Sequence, residues 1–353
     1  MSKKKSHKSI NIPCDILFCI LSRLHVKSLL RFRSVSKPWN AIISDKGFKK
    51  AQCDQSIALG REKLLLQIYR SDKFEFINLE SHQFAIEKQQ FPLKGFERAN
   101  VLCSYDGLVL LKKRRAYKTF VLWNPSTRQC QTLECPYLSS YMRPRSCGLC
   151  YDSTADDYKV ILIYNSFYIV CSVNSNDWKK KENLPILKQR LPSLCGISTE
   201  GCVFWSLNRT PDPFVSTTST IIYFDVKSDE LKELLVPNFI GDNELFQLAT
   251  LKGSLCLYGG KINSDIYRKD LEVDMWIMEQ DGWKWLMKLC NVPAEFCESY
   301  FVKYSRPLHY TRNGKIYSEI DIGWLLGAKS MQKSISRSGG IPGRLEGNPS
   351  ENS

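Results

Sequence analysis

An apolar strand that ends in a polar turn and leads into another strand recurs along this chain, and that recurrence restricts the possible folds more than its composition does. The copies are Val121-Leu122-Trp123-Asn124-Pro125-Ser126-Thr127, Val173-Asn174-Ser175-Asn176-Asp177-Trp178, Ile222-Tyr223-Phe224-Asp225-Val226-Lys227-Ser228 and Trp276-Ile277-Met278-Glu279-Gln280-Asp281-Gly282-Trp283. With Asn124, Asn174, Asp225 and Glu279 as markers, the intervals are 50, 51 and 54 residues, close to the roughly 50-residue period of a kelch-type blade. A second series, glycine turns opening strands at Gly107, Gly201, Gly253 and Gly314, keeps step with the first, with Gly148 between Gly107 and Gly201. A unit of this size cannot cover both faces of its own sheet, so copies must stack. A circular, propeller-like array satisfies that need, and a β-sandwich with irregular hairpins is the alternative.

The first fifty residues follow a different period. Pro13 suits the first turn of a helix and Asp15 the positive end of its dipole. Ile16, Ile20 and Leu24 follow at four-residue intervals, flanked by Leu17 and Leu21, an apolar face wider than one neighbouring helix covers. Ser28 is the expected N-cap of a second helix running to Val35. Ser36 and Pro38 start a third that carries Trp39, Ile42 and Ile43. Three helices in so short a stretch make a unit too small to be stable alone. Its apolar side chains need either the large domain behind them or an external surface. Burying four Ile or Leu side chains contributes about 6–12 kcal/mol before ordering costs, enough for micromolar or tighter association.

The segment NIPCDILFCILSRLHVKSLLRFRSVSKPWNAIISDKGF resembles a plant F-box over nearly its whole length. In that family the module docks on the Skp-type adaptor of a cullin–RING ubiquitin ligase. The resemblance implies contacts from Ile12, Pro13, Ile16, Ile20, Leu21, Leu24 and Leu29, with Val35 and Trp39 shaping the surface. Two positions depart from the pattern: His25 stands where the family usually has proline, and Cys14 where a polar residue is common. The stretch from Leu102 to Val292 is similar to the plant F-box-associated domain, through SYDGLVLL, FVLWNPSTRQ, CGLCYDSTADDYKV, IIYFDVKSDELKEL and DMWIMEQDGWKWLMKL. In the family this domain selects the protein to be ubiquitinated. Trp123, Asn124 and Pro125 are expected to form the fold rather than contact a client.

Composition narrows the alternatives. The net charge of +14 permits nucleic-acid binding, but the basic bursts at Lys3–Lys5, Lys112–Arg115 and Lys179–Lys181 are scattered rather than gathered on one element, which favours a solvated surface. No membrane span is expected, because the longest apolar run, Val160–Val173, is broken by Asn165-Ser166. The N-terminus lacks a signal-peptide pattern, so the fourteen cysteines are expected as thiols in the cytosol or nucleus. His7, His25, His82 and His309 are the four histidines, and none sits in a metal-spaced or nucleophile motif. Cys147-Gly148-Leu149-Cys150 is a lone CxxC that runs into a strand-forming segment, so structural thiols are expected there rather than a redox pair or a zinc knuckle. No cofactor and no catalytic activity are expected; an enzyme built on a propeller is the least supported alternative.

The expectation is therefore an α+β multidomain chain. Residues 1–10 form a basic disordered tail, 11–50 the F-box and 51–95 a connecting segment with the first strands. The β-repeat domain covers 96–325, and a tail expected to be disordered covers 326–353, its Ser-, Gly-, Asn- and Pro-rich part starting at Lys329. The expected role is a substrate receptor of an SCF-type ligase, joining the Skp-type adaptor, and through it the cullin and RING subunits, to a client protein.

Overall fold

The computed structural model describes residues 12–59 and, between 61 and 318, the strands with most of their short connections. The longer stretches left out are 68–72, 79–85, 91–98, 209–219, 237–243, 262–269, 294–306 and 311–315. Both expected tails and the Asn313-Gly314 turn lie outside the described residues.

The N-terminal unit has four helices rather than three: α1 (Cys14–Ser22), α2 (Val26–Phe32), α3 (Lys37–Ser44) and α4 (Lys46–Ala58). The fourth forms because Asp45 caps it, its Oδ1 accepting from Phe48 N at 2.9 Å. Phe48 then drops into the core and meets Phe18 edge-on, with centroids 5.2 Å apart. Ser36 caps α3 as expected, its Oγ accepting from Trp39 N at 3.3 Å. Helix α2 starts earlier than Ser28, with His25 at the cap position. Burial of Leu29 fixes that start more strongly than a hydroxyl cap can, and the His25 carbonyl accepts from both Ser28 N and Leu29 N.

Among the described residues six antiparallel sheets follow in chain order. The first holds β1 (Lys63–Gln67), β2 (Lys73–Asn78) and β3 (Ile86–Gln90), and the second β4 (Asn100–Tyr105), β5 (Leu108–Lys112), β6 (Thr119–Asn124) and β7 (Gln129–Glu134). The third holds β8 (Ser146–Asp152), β9 (Asp157–Ile163), β10 (Phe167–Ser172) and β11 (Asp177–Glu182). In the fourth, β12 (Leu191–Pro192) and β13 (Ile197–Thr199) both pair with β14 (Cys202–Asn208), followed by β15 (Thr220–Asp225) and β16 (Glu230–Leu234). The fifth runs β17 (Glu244–Leu251), β18 (Ser254–Lys261), β19 (Asp270–Glu279) and β20 (Gly282–Pro293); β21 (Pro307–Tyr310) and β22 (Ile316–Ser318) make the last.

The four sequence markers all fall at the hairpin joining the last two strands of a sheet: β6–β7, β10–β11, β15–β16 and β19–β20. The chemistry of the turn explains the recurrence. Asn124 Oδ1 accepts from Ser126 N and Thr127 N, both at 3.0 Å, and Asp225 Oδ1 accepts from Lys227 N at 3.0 Å. The chain then reverses through a left-handed residue, Arg128 or Asp229, each four positions on. The glycine series marks the opening hairpins. Asp106 and Gly107, at φ 49° and 73°, make a two-residue turn of the kind whose twist matches the flanking strands. Gly148 does not belong to that series. It lies within β8, where a Cβ would come 2.7 Å from Val203 Cγ1 and 2.8 Å from Trp205.

Successive residues of each central strand feed different cores. On β6, Phe120 and Leu122 pack with the third sheet while Val121 and Trp123 pack with the first. On β9, Val160 and Leu162 face the second sheet while Ile161 and Ile163 face the fourth. On β14, Val203, Trp205 and Leu207 face the third sheet and Phe204 the fifth. The sheets therefore stack in series, each middle one covered on both faces by different neighbours. A two-sheet sandwich does not describe them. Trp123 is buried against Phe76, the structural placement the sequence suggested.

A buried ionic clasp joins the third and fourth sheets. Lys159 Nζ lies 2.9 Å from Asp152 Oδ2 and 2.5 Å from Asp229 Oδ1, and donates to the Val226 carbonyl at 3.1 Å. Lys181 Nζ donates to the Asp229 carbonyl at 2.7 Å, and Lys180 lies over the Phe167 ring, so much of the basic burst on β11 is engaged within the chain. Burial pushes the Asp152 carboxyl up, but hydrogen bonds from Thr154, Lys159 and the Ala155 N–H outweigh it and hold the group at about 2.

Two outcomes are expected. Leu162→Ala should cost about 2–5 kcal/mol in urea unfolding, since its side chain is wholly enclosed. The depressed Asp152 carboxyl supplies stability that is complete above about pH 4 and is lost as pH falls toward 2, worth about 2 kcal/mol. The stability gap between wild type and Asp152→Asn should therefore narrow over that window, as followed by denaturant unfolding at stepped pH.

Candidate partner interface

The helical unit has a closed core and an open apolar face. Leu17, Leu21, Leu29, Ile43 and Phe48 form the core, with Phe18, Leu24, Phe32, Trp39 and Ile42 packed around them. Phe32 and Trp39 meet edge-on at 5.4 Å between centroids. On the outside, Ile12, Ile16 and Ile20 remain 46, 53 and 49 % exposed. Ile16 and Ile20, four residues apart, lie along one side of α1, and Ile12 stands just ahead of the helix. Val35 and Leu30 are exposed as well.

The sequence-predicted contact residues thus divide. Ile12, Pro13, Ile16, Ile20 and Val35 are exposed; Leu24 and Trp39 are half-buried. Leu21 and Leu29 lie inside the unit, 1 and 4 % exposed, so their place is beneath the face rather than on it. A 3.6-residue period marks an apolar stripe but cannot say which part of a wide stripe a small core will use. Leu30 is exposed while its neighbour Leu29 is buried, although the two carry the same pattern signal.

His25 sits at φ −66°, ψ 143°, the backbone geometry that proline itself favours. The departure at this position therefore leaves the turn in the shape the family's proline would give it.

Helix α4, also missed as a helix, holds the unit against the sheets. Lys46 Nζ lies 2.7 Å from Asp156 Oδ2, and Lys50 Nζ lies 3.2 Å from Asp106 Oδ2. Both aspartates occupy opening hairpins with positive φ, of the third and second sheets. Burial pushes the Lys50 ammonium down, but Asp106 and Asp54 outweigh it and the group is raised. Hydrogen bonding to Lys46, then to Tyr151, lowers the Asp156 carboxyl. On the other side, Gln52 Nε2 donates to the Leu24 carbonyl at 3.3 Å and Arg61 Nη1, just past the helix, to the Arg23 carbonyl at 2.7 Å, tying α4 and the residues after it to the end of α1.

Among the described residues there is no group of three or more His, Cys, Asp or Glu that could hold a metal ion. Cys147 and Cys150 belong to different cores on opposite faces of β8, so the CxxC cannot close on itself. Burial pushes the Cys150 thiol up. No described helix is long and apolar enough to cross a membrane.

Residues 63–317 match the family described as F-box associated beta propeller domain, and residues 10–51 match the F-box domain. The chain belongs to the F-box proteins that carry this associated domain, and family membership makes it a non-catalytic recognition protein. Similar proteins include "F-box protein CPR1" of Arabidopsis thaliana, 26% identical over 86% of this chain and 78% of that protein. Another is "F-box/kelch-repeat protein At3g23880" of the same plant, 26% identical over 80% of each. Among solved structures, "Structure of YjhT" aligns with 73% of this chain and 92% of that one at TM-score 0.39 and 11% identity, too distant to carry an argument.

Charge screening should loosen the attachment of the helical unit. In Lys46→Ala/Lys50→Ala, distances between spin labels on α3 and on the second sheet should spread more broadly than in wild type. Wild type in about 1 M salt, where the screening length falls to roughly 3 Å, should spread similarly.

Proposed function

We propose that this chain is the substrate receptor of an SCF-type cullin–RING ubiquitin ligase. The α1 face docks on a Skp-type adaptor, which links the chain to the cullin and RING subunits, and the sheet array holds a client protein. The observation that carries this reading is the row Ile12, Ile16 and Ile20, left exposed on a unit whose core is already complete without them. An apolar row of that kind on a charged surface marks a site of association. The attachment of α4 to the array supports a fixed geometry between the adaptor and the client, and that geometry serves ubiquitin transfer by proximity alone.

In the same reading the sheets close into a propeller, with client specificity carried by the loops. Contacts between leading strands of consecutive sheets support it: β4 lies beside β8, β8 beside β13 and β14, those beside β17, and β17 beside β21. The adaptor-bound form works in the cytoplasm or the nucleus.

Co-purification with a Skp-type adaptor tests the docking. Ile16→Asp and Ile20→Asp should each weaken adaptor binding by at least 10-fold, since each removes about 1.5–3 kcal/mol of burial. Their helical circular dichroism should stay at the wild-type level, because both side chains are solvent-exposed. Leu21→Asp should instead unfold the unit. Wild-type binding by the Ile16→Asp/Ile20→Asp double variant would remove the basis of the proposal.

A further inference from the structure

Cysteines from three successive sheets meet where those sheets pack together. Cys103 is on β4 and Cys147 on β8, both buried in the core shared by the second and third sheets, and Cys195, just ahead of β13, packs against that core half-buried. Cys147 and Cys195 face each other in a parallel bridge, with Gly196 N donating to the Cys147 carbonyl at 2.8 Å. Glycine permits this approach: a Cβ on Gly196 would come 2.3 Å from Val203 Cγ1 and 2.7 Å from the Trp205 ring. Trp205 closes the other side, its Nε1 donating to the same Cys147 carbonyl at 3.1 Å. The Cys147 thiol donates to the Leu102 carbonyl at 3.2 Å and the Cys195 thiol to the Gly196 carbonyl at 3.3 Å, and Cys103 packs in the same core.

Bridge-paired backbones lie about 5 Å apart, and a disulfide spans Cα separations of roughly 4.4–6.8 Å. The bond therefore needs little backbone movement. We infer that Cys195, Cys147 and Cys103 form a thiol–disulfide exchange site that accepts a small disulfide such as oxidised glutathione. Cys195 is the entry thiol, since it alone of the three reaches solvent.

Its thiolate attacks one sulfur of the small disulfide, expels one glutathione thiolate and forms a mixed disulfide. Cys147 attacks the Cys195 sulfur, its proton passing to the second glutathione as that thiolate is expelled; Cys103, packed in the same core, is the other resolving thiol. Two protein thiols are oxidised and one small disulfide is reduced to two thiols. The product links the leading strand of the third or second sheet to the segment entering the fourth. This pairing is separate from the CxxC, whose Cys150 lies on the far face of β8.

The test treats the folded full chain with oxidised glutathione, blocks remaining thiols with N-ethylmaleimide in denaturant, and maps peptides without reduction. Cys195 should be recovered linked to Cys147 or Cys103, and the link should disappear after dithiothreitol. In Cys103→Ser/Cys147→Ser, Cys195 should stop at the glutathione mixed disulfide. Exposed Cys14 and Cys19 report that the oxidant has acted. Glutathione on those two with Cys195 alkylated, or Cys195 carrying glutathione with no internal link in wild type, would overturn the inference.

Discussion

Every middle sheet of this protein has to be covered on both faces, and that requirement orders the rest of the structure. It explains why β9 carries the unbroken apolar run Val160-Ile161-Leu162-Ile163, all of it buried. A sheet with one face in water would alternate with polar residues. Because odd and even positions supply different cores, a slip of one residue would send every side chain to the wrong neighbour. The pairing register and the stacking of sheets are thus one constraint. The close approach at Gly148, Gly196 and Trp205 belongs to it as well, since the third and fourth sheets meet there with no room for a Cβ at either glycine.

Carboxylates in the turns connect this stack to itself and to the helices. Asp152 accepts hydrogen bonds from the N–H groups of its own hairpin and also pairs with Lys159. Asp229 closes a turn of the fourth sheet while reaching Lys159 of the third. Asp106 and Asp156 shape opening hairpins and receive the two lysines of α4. The buried and exposed members act differently. Around Lys159 an unpaired charge would be costly. The exposed Lys46 pair adds little to stability by itself and serves instead to orient the helical unit.

That orientation matters because the unit has two kinds of apolar side chain. Leu17, Leu21 and Leu29 hold its helices together, whereas Ile12, Ile16 and Ile20 lie outside that core, about half exposed. The two sets are apolar for different reasons, and a pattern of apolar letters does not separate them.

The sequence by itself determined the class of each half. A helical period around Ile16 and Ile20, the Ser36 cap, and polar turns recurring near 50 residues are local properties of the chain, fixed by backbone geometry and hydrogen bonding within a few residues. They made the helical unit and the repeated hairpins legible. The tertiary structure decided what depends on contact between distant residues. It placed Leu21 and Leu29 inside the unit, extended it by α4 through the burial of Phe48, moved Gly148 from a turn into β8, and brought Cys195 beside Cys147 and Cys103. None of these could be read along the chain, because burial and proximity are set by which surfaces compete for the same space.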